Sequence, residues 1–217
     1  MTPQFQKFIQ QITRQFEQPL PGKEAQLKMA SLRRFLKMSH FHPRANAIPS
    51  GVLILFYPYR EDISMVLILR PNYKGAHSGQ ISLPGGKSEP SDASPEETAL
   101  REAREEIGIN PAGIVILGRL TPLYIPPSNY LVIPIVGYSK HQPQFKPDPQ
   151  EVDQIIEIRL KDLLDENNIK TERFRIWFGF SIEAPCFSIN GHKIWGATAM
   201  ILSELIEMVR LFENDIP

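Results

Sequence analysis

The sequence predicts a mixed α/β domain with a helical amino-terminal extension. Three observations carry that prediction. Two almost unbroken apolar runs, 51–57 and 63–69, flank a short polar stretch. A segment after Ser94 repeats its apolar residues with a helical period and has clear start and stop residues. Short apolar runs then recur between 114 and 195 before a last helical stretch. Strands interleaved with helices in this order describe a sheet with helices packed against it.

Residues 3–17 and 23–37 are predicted as two helices, broken at Pro19, Pro21 and Gly22. The runs 51–57 and 63–69 are predicted as strands joined across 58–62. Apolar residues at nearly every position imply that both faces of these strands are covered. Ser94 supplies a helix cap, Pro95 the first helical position and Glu97 the third, and Gly108 stops the helix. On that helix Ala99, Leu100, Ala103 and Ile107 form one apolar arc, with Glu102, Glu105 and Glu106 roughly opposite and Arg101 beside them. Strands are expected near 114–120 and 130–138, then a short strand near 154–158 and a helix near 160–166. Two or three strands between 174 and 195 and a final helix from about 198 to 213 complete the chain. Many of the 20 prolines fall in 122–149, which implies ordered loops and strand edges there. The extension is placed at 1–48 and the main domain at 49–217, with the extension packing on that domain or on a homodimer partner.

Composition narrows the function. A chain of 217 residues with 42% hydrophobic residues can bury a sizeable core. A formal net charge of zero disfavours sequence-independent binding to nucleic acid. The single cysteine, Cys186, excludes an internal disulfide framework and reads as a small buried hydrophobe. The first residues lack an apolar signal core and no later run is long enough to span a membrane, so a cytoplasmic protein is expected.

The chemistry concentrates in one helix. Glu102, Glu105 and Glu106 are spaced by three, four and one, which puts them on one helical face. Like charges so placed cost a few tenths of a kcal/mol per pair, roughly, and a cation held between them reverses that sign. Leu83-Pro84-Gly85-Gly86-Lys87 reads as a glycine turn whose backbone closes on the same cation. Turn and acidic face together describe a site for Mg²⁺ or Mn²⁺ and a phosphate, against the blander reading of a solvated acidic face. Arg101 is placed to hold a carboxylate by a charge-assisted hydrogen bond. Gly85-Gly86-Lys87-Ser88 is not a nucleotide P-loop, because position 81 is isoleucine where that motif needs glycine. His77 reads as an ordinary loop histidine and Trp195 as a core residue. Glu151 has two open readings, a surface acid or a distal carboxylate brought to the site from a loop.

Gly86, Arg101, Glu102, Glu105, Glu106 and Gly108, closed by Ile109, resemble the Nudix box of a glycine, a loop and Arg-Glu-x-x-Glu-Glu-x-Gly. Asp92 stands at the box's loop acid, and Arg101 comes one residue later than usual. That longer loop, containing Glu89 and Asp92, resembles the coenzyme A pyrophosphatase branch. So does the preceding segment, where Arg70, Gly79 and Pro84-Gly85-Gly86 match. Gly75 replaces a second arginine of that branch, with Lys74 adjacent to supply the charge, and Leu83 replaces a phenylalanine. Pro134 and the run Ile194-Trp195-Gly196-Ala197-Thr198-Ala199 are also similar to it, and the resemblance spans roughly 50–205.

The resemblance implies an α/β/α sandwich around a mixed sheet and hydrolysis of a pyrophosphate bond in a nucleoside diphosphate derivative. Coenzyme A or an acyl derivative is the implied small-molecule substrate, giving 3′,5′-ADP and a phosphopantetheine. An ADP-ribose or other nucleoside diphosphate pyrophosphatase, and a non-catalytic nucleotide sensor, are the alternatives. The expected metal ligands are Glu105 and Glu106, with Glu102 as third ligand or general base, the Gly86 carbonyl as an extra donor and Glu151 as alternative base. Arg101 is expected to orient the glutamates, and Arg70, Lys74, Gly79 and Lys87 to meet substrate.

Overall fold

A computed structural model describes residues 1–32, 34, 42–71, 79–175 and 180–213. Two strands, β1 (Ile48–Tyr59) and β2 (Asp62–Leu69), form an antiparallel hairpin with Tyr59 opposite Asp62. The hairpin is tighter than the predicted 58–62 connection, since Arg60 takes a positive φ of 56° that suits a two-residue turn. β1 is also the centre of the mixed sheet. It pairs in parallel with β7 (Tyr130–Ser139) and antiparallel with β4 (Gly85–Lys87). β2 carries β3 (Ile81–Ser82) and β8 (Gln154–Arg159), while β7 carries β5 (Ile114–Arg119) and β6 (Leu123–Ile125). Three further strands, β9 (Ile169–Arg175), β10 (Ser181–Ile189) and β11 (His192–Trp195), make a second antiparallel sheet. β9 begins five residues before the predicted 174, where its pairing with β10 starts at Ile169 opposite Phe187.

The helices cover both faces of the large sheet. On one face Leu53, Leu55 and Tyr57 of β1 pack with Ala99, Ala103 and Ile107 of the acidic helix α3 (Pro95–Ile107). On the other, Ile54 and Phe56 pack with α1 (Pro3–Gln15) and the last helix, α5 (Gly196–Arg210). The alternation along β1 is the period of a strand, and burial on both sides explains why its sequence shows no polar face. The result is the α/β/α sandwich. α1 presents Phe5, Phe8, Ile9 and Ile12 to this core, and the Phe8 ring meets Phe56 edge-on at 5.0 Å.

Of the helix expected over 23–37, residues 33 and 35–37 fall outside the described residues, Leu32 and Arg34 are helical, and the first stretch is α2 (Gly22–Leu27). It ends because the amides of Lys28, Met29 and Ala30 bond three residues back, tightening the last turn. α2 is fixed by a buried carboxylate from α5. Glu204 accepts from the Gly22 amide, the Gln26 amide nitrogen and the Thr121 amide and hydroxyl. A short helix, α4 (Leu160–Leu164), follows β8. Among the described residues no helix is long and apolar enough to cross a membrane.

Candidate active site

α3 is set against the sheet by local and long-range contacts together. Ser94 Oγ accepts from the Glu97 amide at 3.2 Å and Glu97 Oε2 accepts from the Ala93 amide at 2.8 Å. Gly108 ends the helix in the left-handed region at φ 70°. The last helical carbonyls then receive a returning loop, with Lys146 N donating to Ile107 O and Asp148 N to Glu106 O. That loop runs on to Glu151, and Val152 anchors it in the core. Beneath the helix Gly51 allows close approach, since a Cβ there would lie 2.5 Å from the Pro95 carbonyl oxygen.

The Gly85–Gly86 segment is a strand and not the predicted turn. β4 pairs with β1, and Gly85 holds φ 143°, a conformation that favours glycine. This strand lies along the acidic face of α3 and gives its three glutamates different environments. Glu106 is 2% exposed, so this acid is not part of a solvated face. Its oxygens accept from the Gly85 amide at 2.7 Å and from Arg70 Nη2 at 3.1 Å. Burial pushes its pKa up to about 7, against the pull of Arg70 and the Gly85 amide, with smaller upward pushes from the charges of Glu102 and Glu151. Glu102 is half-buried, and that desolvation raises its pKa despite Arg101 at 3.0 Å. Glu105 is the exposed member and accepts from Arg101 Nη1 at 2.9 Å.

Arg101 does more than flank these acids. Its Nε and Nη2 grip both oxygens of Asp92 at 3.0 Å, and Nη2 also donates to the Lys87 carbonyl at 3.0 Å. The fork holds the Asp92 pKa well below the usual carboxylate range and raises that of Arg101. Asp92 therefore ties the loop before α3 to the helix. Its role was not read from sequence, where its only signal was its place in the loop of the box. Ser50 was missed as well. Its hydroxyl donates to the Gly86 carbonyl at 2.6 Å, and its signal was a lone small polar residue at the mouth of an apolar strand.

These residues open onto a cavity of about 960 Å³. Arg70, Gly85, Gly86, Glu102, Glu106 and Glu151 all line it, so residues far apart in sequence meet there. Glu105 lies outside its lining, as do Arg101, Gly79 and the exposed side chain of Lys87. Arg70, expected at the substrate, is also committed to the protein: it donates to Ser82 Oγ, the Gly85 carbonyl and Glu106. Lys74, Gly75 and His77 fall outside the described residues. Trp195, expected in the core, lies on the cavity wall and stacks on Phe174 at 4.4 Å. Cys186 is buried with a raised pKa, as a desolvated thiol should be.

Among the described residues no three Asp, Glu, His or Cys side chains converge on one point. Glu102 and Glu105 turn to Arg101 while Glu106 turns to Gly85 and Arg70. The donor chemistry nonetheless fits a hard divalent cation, with carboxylates and a backbone carbonyl in close reach. A Cβ on Gly86 would lie 2.5 Å from the Glu102 carboxylate, so only glycine lets that acid rest against the strand. A buried Glu106 whose ionised form is disfavoured is a group that a cation would relieve.

Comparison with known proteins identifies the family. A NUDIX domain model matches residues 48–178. Human (Homo sapiens) mitochondrial coenzyme A diphosphatase NUDT8 is 31% identical over 82% of this chain and 76% of its own length. Nudix hydrolase 15, mitochondrial, of Arabidopsis thaliana is 34% identical over 75% of this chain, which spans 57% of that protein. The crystal structure of a MutT/nudix family protein from Enterococcus faecalis superposes with a TM-score of 0.50 at 17% identity, covering 87% of this chain and 73% of that one. That last likeness is one of fold.

Proposed function

The chain belongs to the Nudix family of hydrolases, and we propose that it cleaves the pyrophosphate bond of coenzyme A or an acyl-coenzyme A to 3′,5′-ADP and a phosphopantetheine. The observation that carries this reading is the make-up of the cavity. Glu102, Glu106 and the β4 backbone line one part of it, while Ile182, Ala184, Trp195, Met200 and Ile201 supply an apolar wall. Its volume of about 960 Å³ is at the upper end for small-molecule sites, which suits a nucleotide joined to a long arm. The activity in the name of the human relative supports the same substrate class.

Hydrolases of this family generally use divalent metal ions, and Mg²⁺ or Mn²⁺ is the proposed cofactor here. When bound, such an ion neutralises pyrophosphate oxygens and lowers the pKa of a water. Glu105 and Glu106 are the proposed first ligands, with Glu102 as a third ligand or the general base. Ser50 keeps the Gly86 carbonyl, the proposed extra donor, in place. Arg101 aligns Glu102 and Glu105, while Arg70 aligns Glu106. Glu151 is the alternative base for the attacking water, since its charge reaches both Glu102 and Glu106.

A substrate panel tests the reading. Coenzyme A, an acyl-coenzyme A, dephospho-coenzyme A and ADP-ribose are incubated with Mg²⁺ or Mn²⁺, and products are identified by mass spectrometry in oxygen-18-labelled water. The coenzyme A class should show the highest kcat/KM, and excess chelator should abolish turnover. Faster cleavage of ADP-ribose than of coenzyme A would overturn the substrate assignment and leave the hydrolase chemistry standing.

A further inference from the structure

The cavity needs a second cation. A substrate with a pyrophosphate and a separate phosphate monoester brings two anionic groups. The carboxylates with a metal serve the first and repel the second. Among the described residues that line the cavity, the cationic side chains are Arg34 and Arg70. Arg70 is bound to Glu106, Ser82 and Gly85, within the acidic part. Arg34 comes from the amino-terminal extension and stands against β6, with Nη2 donating to the Tyr124 carbonyl at 2.7 Å.

The segment that precedes Arg34 is anchored to the same stretch of backbone. The Gln26 amide nitrogen donates to the Thr121 carbonyl at 2.7 Å, three residues before Tyr124. Glu204 clamps Gly22, Gln26 and Thr121 together from α5. The extension is thus tied along the 121–124 backbone, and the neighbouring wall is stiffened by Pro126 and Pro127. Burial lowers the Arg34 pKa, the mark of a partly dehydrated guanidinium. An arginine keeps its charge in such a place, and its planar fork matches phosphate oxygens. Partial loss of water strengthens its pull on an anion.

We propose that Arg34 is a specificity-determining residue that receives a ribose-bound phosphate monoester of the substrate. In coenzyme A this is the 3′-phosphate, so the assignment rests on the substrate reading given above. It places a function in the extension, which supplies the Arg34 wall of the site as well as packing on the sheet.

Two measurements on the full chain test the proposal. Calorimetry compares binding of adenosine 3′,5′-bisphosphate with that of adenosine 5′-monophosphate, and kinetics compares kcat/KM for coenzyme A and dephospho-coenzyme A. Wild type should favour the 3′-phosphorylated member of each pair. Arg34→Gln should shrink both preferences about ten- to hundredfold, and Arg34→Lys should shrink them less, because charge stays while the fork is lost. A protein without a structural defect is confirmed by its melting curve, and Arg34→Lys carries the test if Arg34→Gln melts low. Unchanged preferences in the Arg34 variants overturn the proposal, as does a wild type indifferent to the 3′-phosphate. If Lys74→Ala removes the preference and Arg34→Gln does not, the charge belongs to Lys74. Should coenzyme A resist cleavage while the bisphosphate preference still depends on Arg34, the substrate reading fails and the phosphate subsite stands.

Discussion

Three glutamates that look alike in sequence differ sharply in place, and Glu106 shows what that does. At 2% exposure it is a buried acid whose pKa stands near 7 without metal. Its unfolded value is roughly 4.3. A folded pKa above the unfolded one contributes most below the unfolded value, and that contribution is lost as pH rises through the folded value. Metal-free protein should therefore lose stability between about pH 4.5 and 7, by about 4 kcal/mol at most, and little more from this group above pH 7. Glu106→Gln should remove that part of the slope, while turnover falls by about 10²–10⁴. Melting curves of both proteins across this range, in chelator and with Mn²⁺, provide the check. Parallel curves would mean that Glu106 does not titrate there, and wild-type turnover in the variant would remove it from the metal site.

Two glycines show how elements, more than single side chains, build the site. At Gly51 an added methyl meets backbone atoms of α3, the Pro95 carbonyl oxygen at 2.5 Å and the Ala99 amide nitrogen at 3.0 Å. Neither yields without moving the helix, so Gly51→Ala should cost about 1–3 kcal/mol or more in stability. At Gly86 the same methyl meets the Glu102 carboxylate, the free end of a flexible chain. Gly86→Ala should melt close to wild type yet lose roughly tenfold or more in kcat, because a displaced carboxylate no longer meets the reacting groups. Calorimetry and steady-state rates on both variants separate the two effects, and the reverse pattern would contradict the close approach of β4 and α3. The same comparison shows what was legible beforehand. α3 was, because its cap, first proline, apolar arc and terminal glycine are local signals. β4 was not, because Gly85-Gly86-Lys87 has no strand propensity and is extended only by pairing with β1. The burial of Glu106 follows from β4 and was hidden with it. Arg34 carried no signal at all, since its place on the cavity wall depends on how α2 is held by Glu204, far away in sequence.

At the scale of the whole molecule, α1 belongs to the core it covers. Phe5, Phe8, Ile9 and Ile12 are buried with β1 and α5 in one cluster. Phe8→Ala should cost about 3–5 kcal/mol and lower the melting temperature by roughly 6–20 °C. An unchanged transition would mean that the extension is separable from the sheet. The partners of Phe8 lie at both ends of the sequence, for its ring also meets Phe212 at 6.0 Å. During synthesis these two rings are made far apart in time. At about 5–20 residues per second the first waits on the order of 10–40 s for the second. Throughout that interval the apolar stripe of α1 leaves the ribosome without its native cover. The newborn chain therefore carries an uncovered apolar helix through most of the domain's synthesis, and completes the cavity wall only when α5 has been translated.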